Sequence, residues 1–260
     1  MITSKKVLSL NISLQTYTGA LNTIISLGQS KKPAYVCFAN VHMVIEAYQN
    51  KMYSENVNAA NLVCADGMPL VKTIDSFYGI KTERVAGMDV FPELLKLAEL
   101  STLKIFLFGT TDELLKKIKD KAKEQFPKLD IVGAYSPSFD KNINDASYIE
   151  MINQSGANLV FVALGCPKQE LWMAKHSHSI NATLLGVGGA FPIYADTVKR
   201  APEVMRNMGL EWLYRLCQEP KRLFKRYFKT NTLYLYLTIK QKVKIIFSKN
   251  IYLFDDIISF

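Results

Sequence analysis

Asn158-Leu-Val-Phe-Val-Ala-Leu-Gly-Cys-Pro-Lys-Gln-Glu170 is the stretch that decides the fold class. Its first seven residues are almost wholly apolar, rich in valine and phenylalanine, and too short for a buried helix, so they predict a fully buried strand. Gly165 stops that strand. Pro167 follows at the first turn of a helix, where its fixed φ suits the geometry and its missing N–H costs nothing. The helical pattern continues to His176. A buried strand running directly into a helix is half of a parallel strand–helix–strand unit.

The same alternation extends outward on both sides. Residues 7–11, 34–39, 62–65, 104–108, 130–133 and 183–187 read as further strands, with 104–108 as the central one. Residues 14–27, 41–50, 144–154 and segments reaching Tyr78, starting near Asp89 and starting at Asp112 read as helices, with Asp89 serving as an N-cap. Residues 136–140 read as a loop. Seven strands interleaved with helices predict an α/β, Rossmann-like fold: a mostly parallel sheet flanked by helices. Ligands of such sheets bind beyond the carboxyl ends of the strands. The polar and glycine punctuation falls there each time, at Asn40, Asp66-Gly67, Gly109-Thr110-Thr111, Gly165 to Gln169 and Gly186 to Gly189. The last turn lies in Leu184-Leu-Gly-Val-Gly-Gly-Ala-Phe191, where glycines without a Cβ let backbone approach a ligand closely. Beyond Pro202 the pattern is helical only. The expected division is an α/β domain over residues 1–205 and a helical, basic appendage over 206–260.

The 260 residues carry 32 lysines and arginines against 23 acids, a formal charge of +9. That surplus selects an anionic partner: a nucleotide, a nucleic acid or an acidic lipid surface. It is concentrated near the C-terminal end, where Arg215, Lys221, Arg222, Lys225, Arg226, Lys229, Lys240, Lys242, Lys244 and Lys249 stand against Glu219. A local basic end points to docking more than to solubility. Nucleic acid is the weaker reading, because no recognised nucleic-acid motif occurs. Cys37, Cys64, Cys166 and Cys217 show no zinc or redox spacing, and Cys37 and Cys64 sit in apolar runs, so reduced thiols in an intracellular protein are expected. The first residues lack a signal core, and no run approaches the ~20 apolar residues of a spanning helix.

At the strand ends, Asp66 can act as a general base toward a sugar hydroxyl, or simply form an Asx turn with Gly67. Arg84 can clamp a phosphate with its planar fork, or pair with Glu83 or Asp89. The helix start at Gly165 to Glu170 favours an anion, with Lys168 adding charge and Gln169 able to bond to phosphate, sugar or base. Cys166 reads as structural, His42 as a structural partner, and His176 and His178 as solvated. The glycine turn at 186–189 is neither a dinucleotide fingerprint nor a P-loop. No D-x-D motif and no His, Cys, Asp and Glu cluster points to a metal, and no cofactor is expected. Arg215, Arg222 and Arg226 lie seven and four apart, so one helical face can carry all three. With Trp212, Tyr214, Phe224, Tyr227 and Phe228 interleaved, that face suits an interface with phosphate or lipid.

Taken together, these pieces resemble the WecB/TagA/CpsF family of bacterial glycosyltransferases. The matching residues are Asn40, Ala65-Asp-Gly67, Arg84-Val-Ala-Gly-Met-Asp89, Gly165-Cys-Pro-Lys-Gln-Glu170, Gly186-Val-Gly188, Arg200-Ala-Pro202, Gly209-Leu-Glu-Trp-Leu-Tyr-Arg-Leu216, Glu219-Pro220, Arg222 and Arg226-Tyr227. The resemblance implies an inverting transferase that moves a sugar, an N-acetylhexosamine such as N-acetylmannosamine, from a UDP-sugar to a polyprenyl-diphosphate-linked sugar. It places the protein at the cytoplasmic face of the cell membrane, in the synthesis of wall, capsular or exopolysaccharide. Carried over, Asp66 is the base, Arg84 and Gln169 contact diphosphate or sugar, and the C-terminal arginines hold the leaving diphosphate. Asn40, Gly67, Gly109, Gly165, Lys168, Gly188, Arg215, Arg222 and Arg226 are the substrate-binding candidates. The resemblance is compatible with a homo-oligomer. Two positions depart from the family pattern. Phe38-Ala39-Asn40 lacks a hydroxyl, and Phe191-Pro192 lacks a carboxylate, so that contact to the nucleotide is either lost or supplied by Asp196. The rival reading is a non-catalytic, membrane-associated nucleotide-sensing module.

Overall fold

A computed structural model of the protein describes residues 2–137 and 145–258. In chain order the elements are β1 (Ser4–Val7), β2 (Leu10–Ser13), α1 (Tyr17–Ser30), β3 (Ala34–Ala39), α2 (Val41–Gln49), α3 (Lys51–Asn58), β4 (Leu62–Ala65), α4 (Met68–Tyr78), α5 (Gly87–Leu100), β5 (Ile105–Gly109), α6 (Asp112–Gln125) and β6 (Ile131–Tyr135). They continue as α7 (Asp145–Ser155), β7 (Leu159–Ala163), α8 (Lys168–His176), a single 3-10 turn, β8 (Thr183–Gly186), α9 (Ala190–Tyr194), α10 (Glu203–Met208), α11 (Glu211–Gln218) and α12 (Pro220–Ile258). The loop expected over residues 136–140 lies mostly outside the described residues.

Six strands form one sheet in the order β4-β3-β8-β7-β5-β6, and every pairing is parallel. The fold is α/β, as the alternation predicts. Side chains alternate across the pleat: Tyr35, Cys37 and Ala39 enter one core, while Val36 and Phe38 enter the other. The first core packs α2, α3, α4, α7, α8 and part of α12 against the sheet. The second packs α1, α5, α6 and α9 on the opposite face, with Phe91 wedged against Phe161, Phe191 and Tyr194.

Several local expectations shift. Residues 7–11 do not form one strand: Leu8 adopts φ 54°, and the chain folds back as the β1–β2 hairpin, a separate two-stranded sheet. The strand read as central, β5, lies next to the edge strand β6, and β8 and β7 hold the middle. Asp89 is not an N-cap; α5 starts at Gly87, so Asp89 falls in its first turn with its carboxylate free to reach elsewhere. Helix α3 was not expected. Asn50 ends α2 and restarts the helix, its side chain accepting from the Tyr53 N–H at 3.1 Å. Arg215, Arg222 and Arg226 do not share one helical face, because the chain breaks at Glu219 between α11 and α12. His176, expected to be solvated, is buried beside Trp172.

The sheet order places the site. From β3 the chain winds outward to β4, then crosses to β5 in the other half of the sheet and returns through β7 to β8, which pairs with β3. The helix that follows β3, α2, packs on one face of the sheet and the helix that follows β8, α9, on the other, so a crevice opens at the carboxyl ends of these two strands.

Candidate functional site

Four strand ends build the floor of this crevice. After β3, Asn40 caps α2, its Oδ1 accepting from the Met43 N–H at 3.2 Å. After β4, the Asp66 N–H donates to the Ala39 carbonyl at 2.8 Å, which tethers the Asp66 backbone to the neighbouring strand. Gly67 then starts α4 without a side-chain cap. After β7 come Gly165, Cys166 and Gln169, and β8 ends at Gly186, followed by Val187, Gly188 and Gly189. The far wall comes from Arg84 and from the C-terminal helices, through Arg206, Glu211, Trp212, Arg215, Arg226 and Tyr227. The cleft between them holds about 970 Å³, the upper end of the range for small-molecule sites.

Of the residues singled out in the sequence, Asp66, Arg84, Gln169, Asn40, Gly67, Gly165, Gly188, Arg215 and Arg226 all line this one cleft. Gly109 and Lys168 are not among the lining residues. A Cβ at Gly109 would stand 2.5 Å from the Ala163 carbonyl oxygen, so close packing of β5 on β7 accounts for that glycine. Lys168 is exposed on α8. The side chain of Arg222 lies outside the described residues. Asp196 does not replace a carboxylate in the site: it pairs with Lys121 on α6 and its side chain is 76% exposed.

Asp66 has one carboxylate oxygen buried without a hydrogen-bond partner. Burial drives its proton affinity well above the ordinary carboxylate range, the Glu211 carboxylate adds to that, and Arg84 and Arg215 pull the other way. A carboxyl raised in this way is a stronger base than a solvated one. Arg84, only 16% exposed, is held by Asp89 at 2.6 Å and lies 3.6 Å from Glu211. Arg84 thus makes the pair with Asp89 while also lining the cleft. Asp89 also receives Arg200, and Arg206 at 3.4 Å. One carboxylate on α5 thus ties three guanidiniums from the body and the C-terminal segment around the cleft. Arg215 reaches the glycine turn, with Nη2 3.6 Å from where a Cβ on Gly189 would stand.

Cys166 lines the cleft, but burial and Glu170 push its thiol pKa up, so it stays protonated and is no thiolate nucleophile. His42 also lines it, and burial with Arg226 lowers its pKa, leaving a neutral imidazole 3.7 Å from Glu46. Sequence reasoning passes over Glu211 and Arg206, and reads Asp89 only as a cap and as a partner for Arg84. Glu211 and Asp89 lie inside quoted motifs, but nothing in one-dimensional spacing shows that α11 folds back to Arg84.

With this geometry in view, the comparisons are informative. The sequence matches the "Glycosyl transferase WecG/TagA/CpsF family" over residues 5–246. The chain belongs to this family. It is also similar to the N-acetylglucosaminyldiphosphoundecaprenol N-acetyl-beta-D-mannosaminyltransferase of Staphylococcus aureus (strain MW2), with 28% identity over 218 residues, 84% of each chain. The protein is thus a glycosyltransferase, and the family match runs through the sheet, the cleft and the first part of α12.

Proposed function

We propose that this glycosyltransferase moves an N-acetylmannosaminyl group from UDP to a sugar hydroxyl of a polyprenyl-diphosphate-linked N-acetylglucosamine, with inversion, in the synthesis of a cell-surface polysaccharide. The sugar and the acceptor follow the name of the staphylococcal relative, and UDP follows the family resemblance. The observation that carries the reading is the cleft itself, in which an unpartnered carboxylate oxygen of Asp66 shares one space with Arg84, Arg215 and Arg226. In the proposed step the acceptor oxygen bonds to the anomeric carbon while Asp66 takes its proton. The bond from that carbon to the diphosphate oxygen breaks, and its electron pair leaves with UDP. Preorganised guanidiniums meet the charge that develops on the diphosphate.

The reading extends to location. Among the described residues no helix is long and apolar enough to cross a membrane. On α12, exposed Phe224, Phe228, Leu235, Ile239, Val243 and Ile246 recur along one side, interleaved with exposed Lys221, Lys225, Lys229 and Lys242. An apolar stripe with lysines suits docking in the plane of an anionic membrane. We infer that residues 206–260 act as the docking and site-closing part of the protein, and residues 1–205 as the nucleotide-sugar-binding part.

The test is Asp66→Asn, assayed for UDP release from UDP-N-acetylmannosamine with a short-chain polyprenyl-diphospho-N-acetylglucosamine acceptor. Transfer should fall at least ~100-fold while UDP still binds. Near-normal turnover would remove Asp66 from the role of base. Binding without UDP release by the unaltered protein would favour the sensing module.

A further inference from the structure

A carboxamide has one face that only donates and one that only accepts. In Gln169 the donor face is occupied on the protein side. Nε2 donates to Glu170 Oε1 at 2.6 Å and to the Gly186 carbonyl at 3.1 Å. Its Oε1 is buried and has no partner. That oxygen lies at the glycine turn of the cleft, 3.0 Å from where a Cβ on Gly188 would stand, and Gln169 as a whole is 5% exposed. Turning the amide over would set its oxygen against a carboxylate oxygen and a carbonyl oxygen, acceptor against acceptor. The orientation is therefore dictated by chemistry. Glu170, 0% exposed, is anchored in turn: Oε2 accepts from Tyr53 Oη at 2.9 Å, and Tyr53 Oη also lies 3.3 Å from Cys166 Sγ.

We propose that Glu170 and Tyr53 are positioning residues that hold the Gln169 carbonyl oxygen toward the cleft, so that the site selects a nucleotide-sugar group that donates a hydrogen bond there. Phosphate oxygens bound at neutral pH accept and do not donate, so Gln169 reads a donor on the sugar or the base and leaves the diphosphate to the arginines. The assignment rests on the nucleotide-sugar reading above. The shared chemistry is an N–H or O–H, and it has two sources: the uracil N3–H, or a hydroxyl or amide N–H of the transferred sugar.

The experiment is a ligand-by-variant cycle read by calorimetric binding on the full chain. The probes are UDP-N-acetylmannosamine, its N3-methyluracil analogue, its single-deoxy sugar analogues and the analogue that lacks the acetamido group. One analogue should bind the unaltered protein about 10-fold more weakly, and lose nothing further in Gln169→Met. A uracil-analogue loss identifies the base as the source, and a deoxy-sugar loss identifies the sugar. Analogues that all bind within twofold of the parent, or losses undiminished in Gln169→Met, overturn the assignment. Glu170→Gln keeps an acceptor for Gln169 and a hydrogen-bonding group for Tyr53, and should keep the parent KM within about threefold. Glu170→Met fills similar space without an acceptor and should raise KM about 10-fold, with the smaller effect on kcat. Equal KM values for folded Glu170→Met and the unaltered protein, or equal damage from both variants, would sink the positioning role. If Glu170→Met does not fold, the analogue cycle and Glu170→Gln decide. Failure of the unaltered protein to bind any UDP-sugar overturns the functional reading as well, whereas indifferent analogues overturn only this one.

Discussion

Asp66 is held at the end of β4 where its charge is poorly solvated, and that has two opposed consequences. The raised proton affinity suits a base. It also means that the folded state binds a proton more tightly than the unfolded chain. Stability therefore falls as pH rises through the window between the unfolded and the folded pKa, and stays lower above it. Asp66→Asn removes that loss. The inactive variant should melt higher than the parent at neutral pH and level with it in acid below the ordinary aspartate pKa of about 3.9, as scanning calorimetry across pH will show. Asp89 carries a different load. Asp89→Asn leaves Arg84, Arg200 and Arg206 without their common counter-charge and should cost about 1–3 kcal/mol, measured by the urea midpoint, with a fall in transfer rate. Gly109 needs φ 112° and abuts Ala163, so Gly109→Ala should destabilise by roughly 2–4 kcal/mol although it touches no ligand.

At the scale of elements, the C-terminal helices both complete the site and cover the body. Helix α11 supplies Glu211, Trp212 and Arg215, and α12 supplies Arg226 and Tyr227. On α12, Tyr234 is buried with its hydroxyl 2.7 Å from Thr73 Oγ1, and Gln241 accepts from the Leu8 N–H at 2.9 Å. Among the described residues the core on the α5 face takes nothing beyond Ala195, whereas the opposite core includes Tyr234 and Leu237. A chain ending at Gly209 should therefore still unfold cooperatively, at a lower Tm, and should release no UDP. Circular dichroism melting and the transfer assay check the two halves separately. Full activity in the truncated chain would reject the completing role of α11 and α12.

For the whole molecule, the +9 charge and the exposed stripe on α12 make a single expectation about surfaces. Each lysine near an anionic leaflet contributes ~1 kcal/mol, and salt screens that attraction. Binding to anionic phospholipid vesicles should weaken steadily with added salt and be cut further in Phe224→Ser/Phe228→Ser. That variant should keep UDP release with a water-soluble acceptor, because neither ring lines the cleft. Salt-indifferent binding in a flotation assay would count against the docking surface.

The sequence by itself determined the layered α/β fold, the strand ends where polar residues collect, and most of the cleft, because buried parallel strands are short apolar runs that end abruptly at glycine, asparagine or aspartate. Asn40, Asp66, Gln169 and Gly188 were legible for that reason. Tertiary structure alone decided which charges meet. Asp89 looks like a cap and Glu211 like one acid in an amphipathic run until α5 and α11 converge on Arg84. The direction of the Gln169 amide is set by Glu170 beside it in sequence and by Gly186 on another strand. Contacts between groups far apart along the chain depend on crossover and packing, which no local pattern of residues encodes.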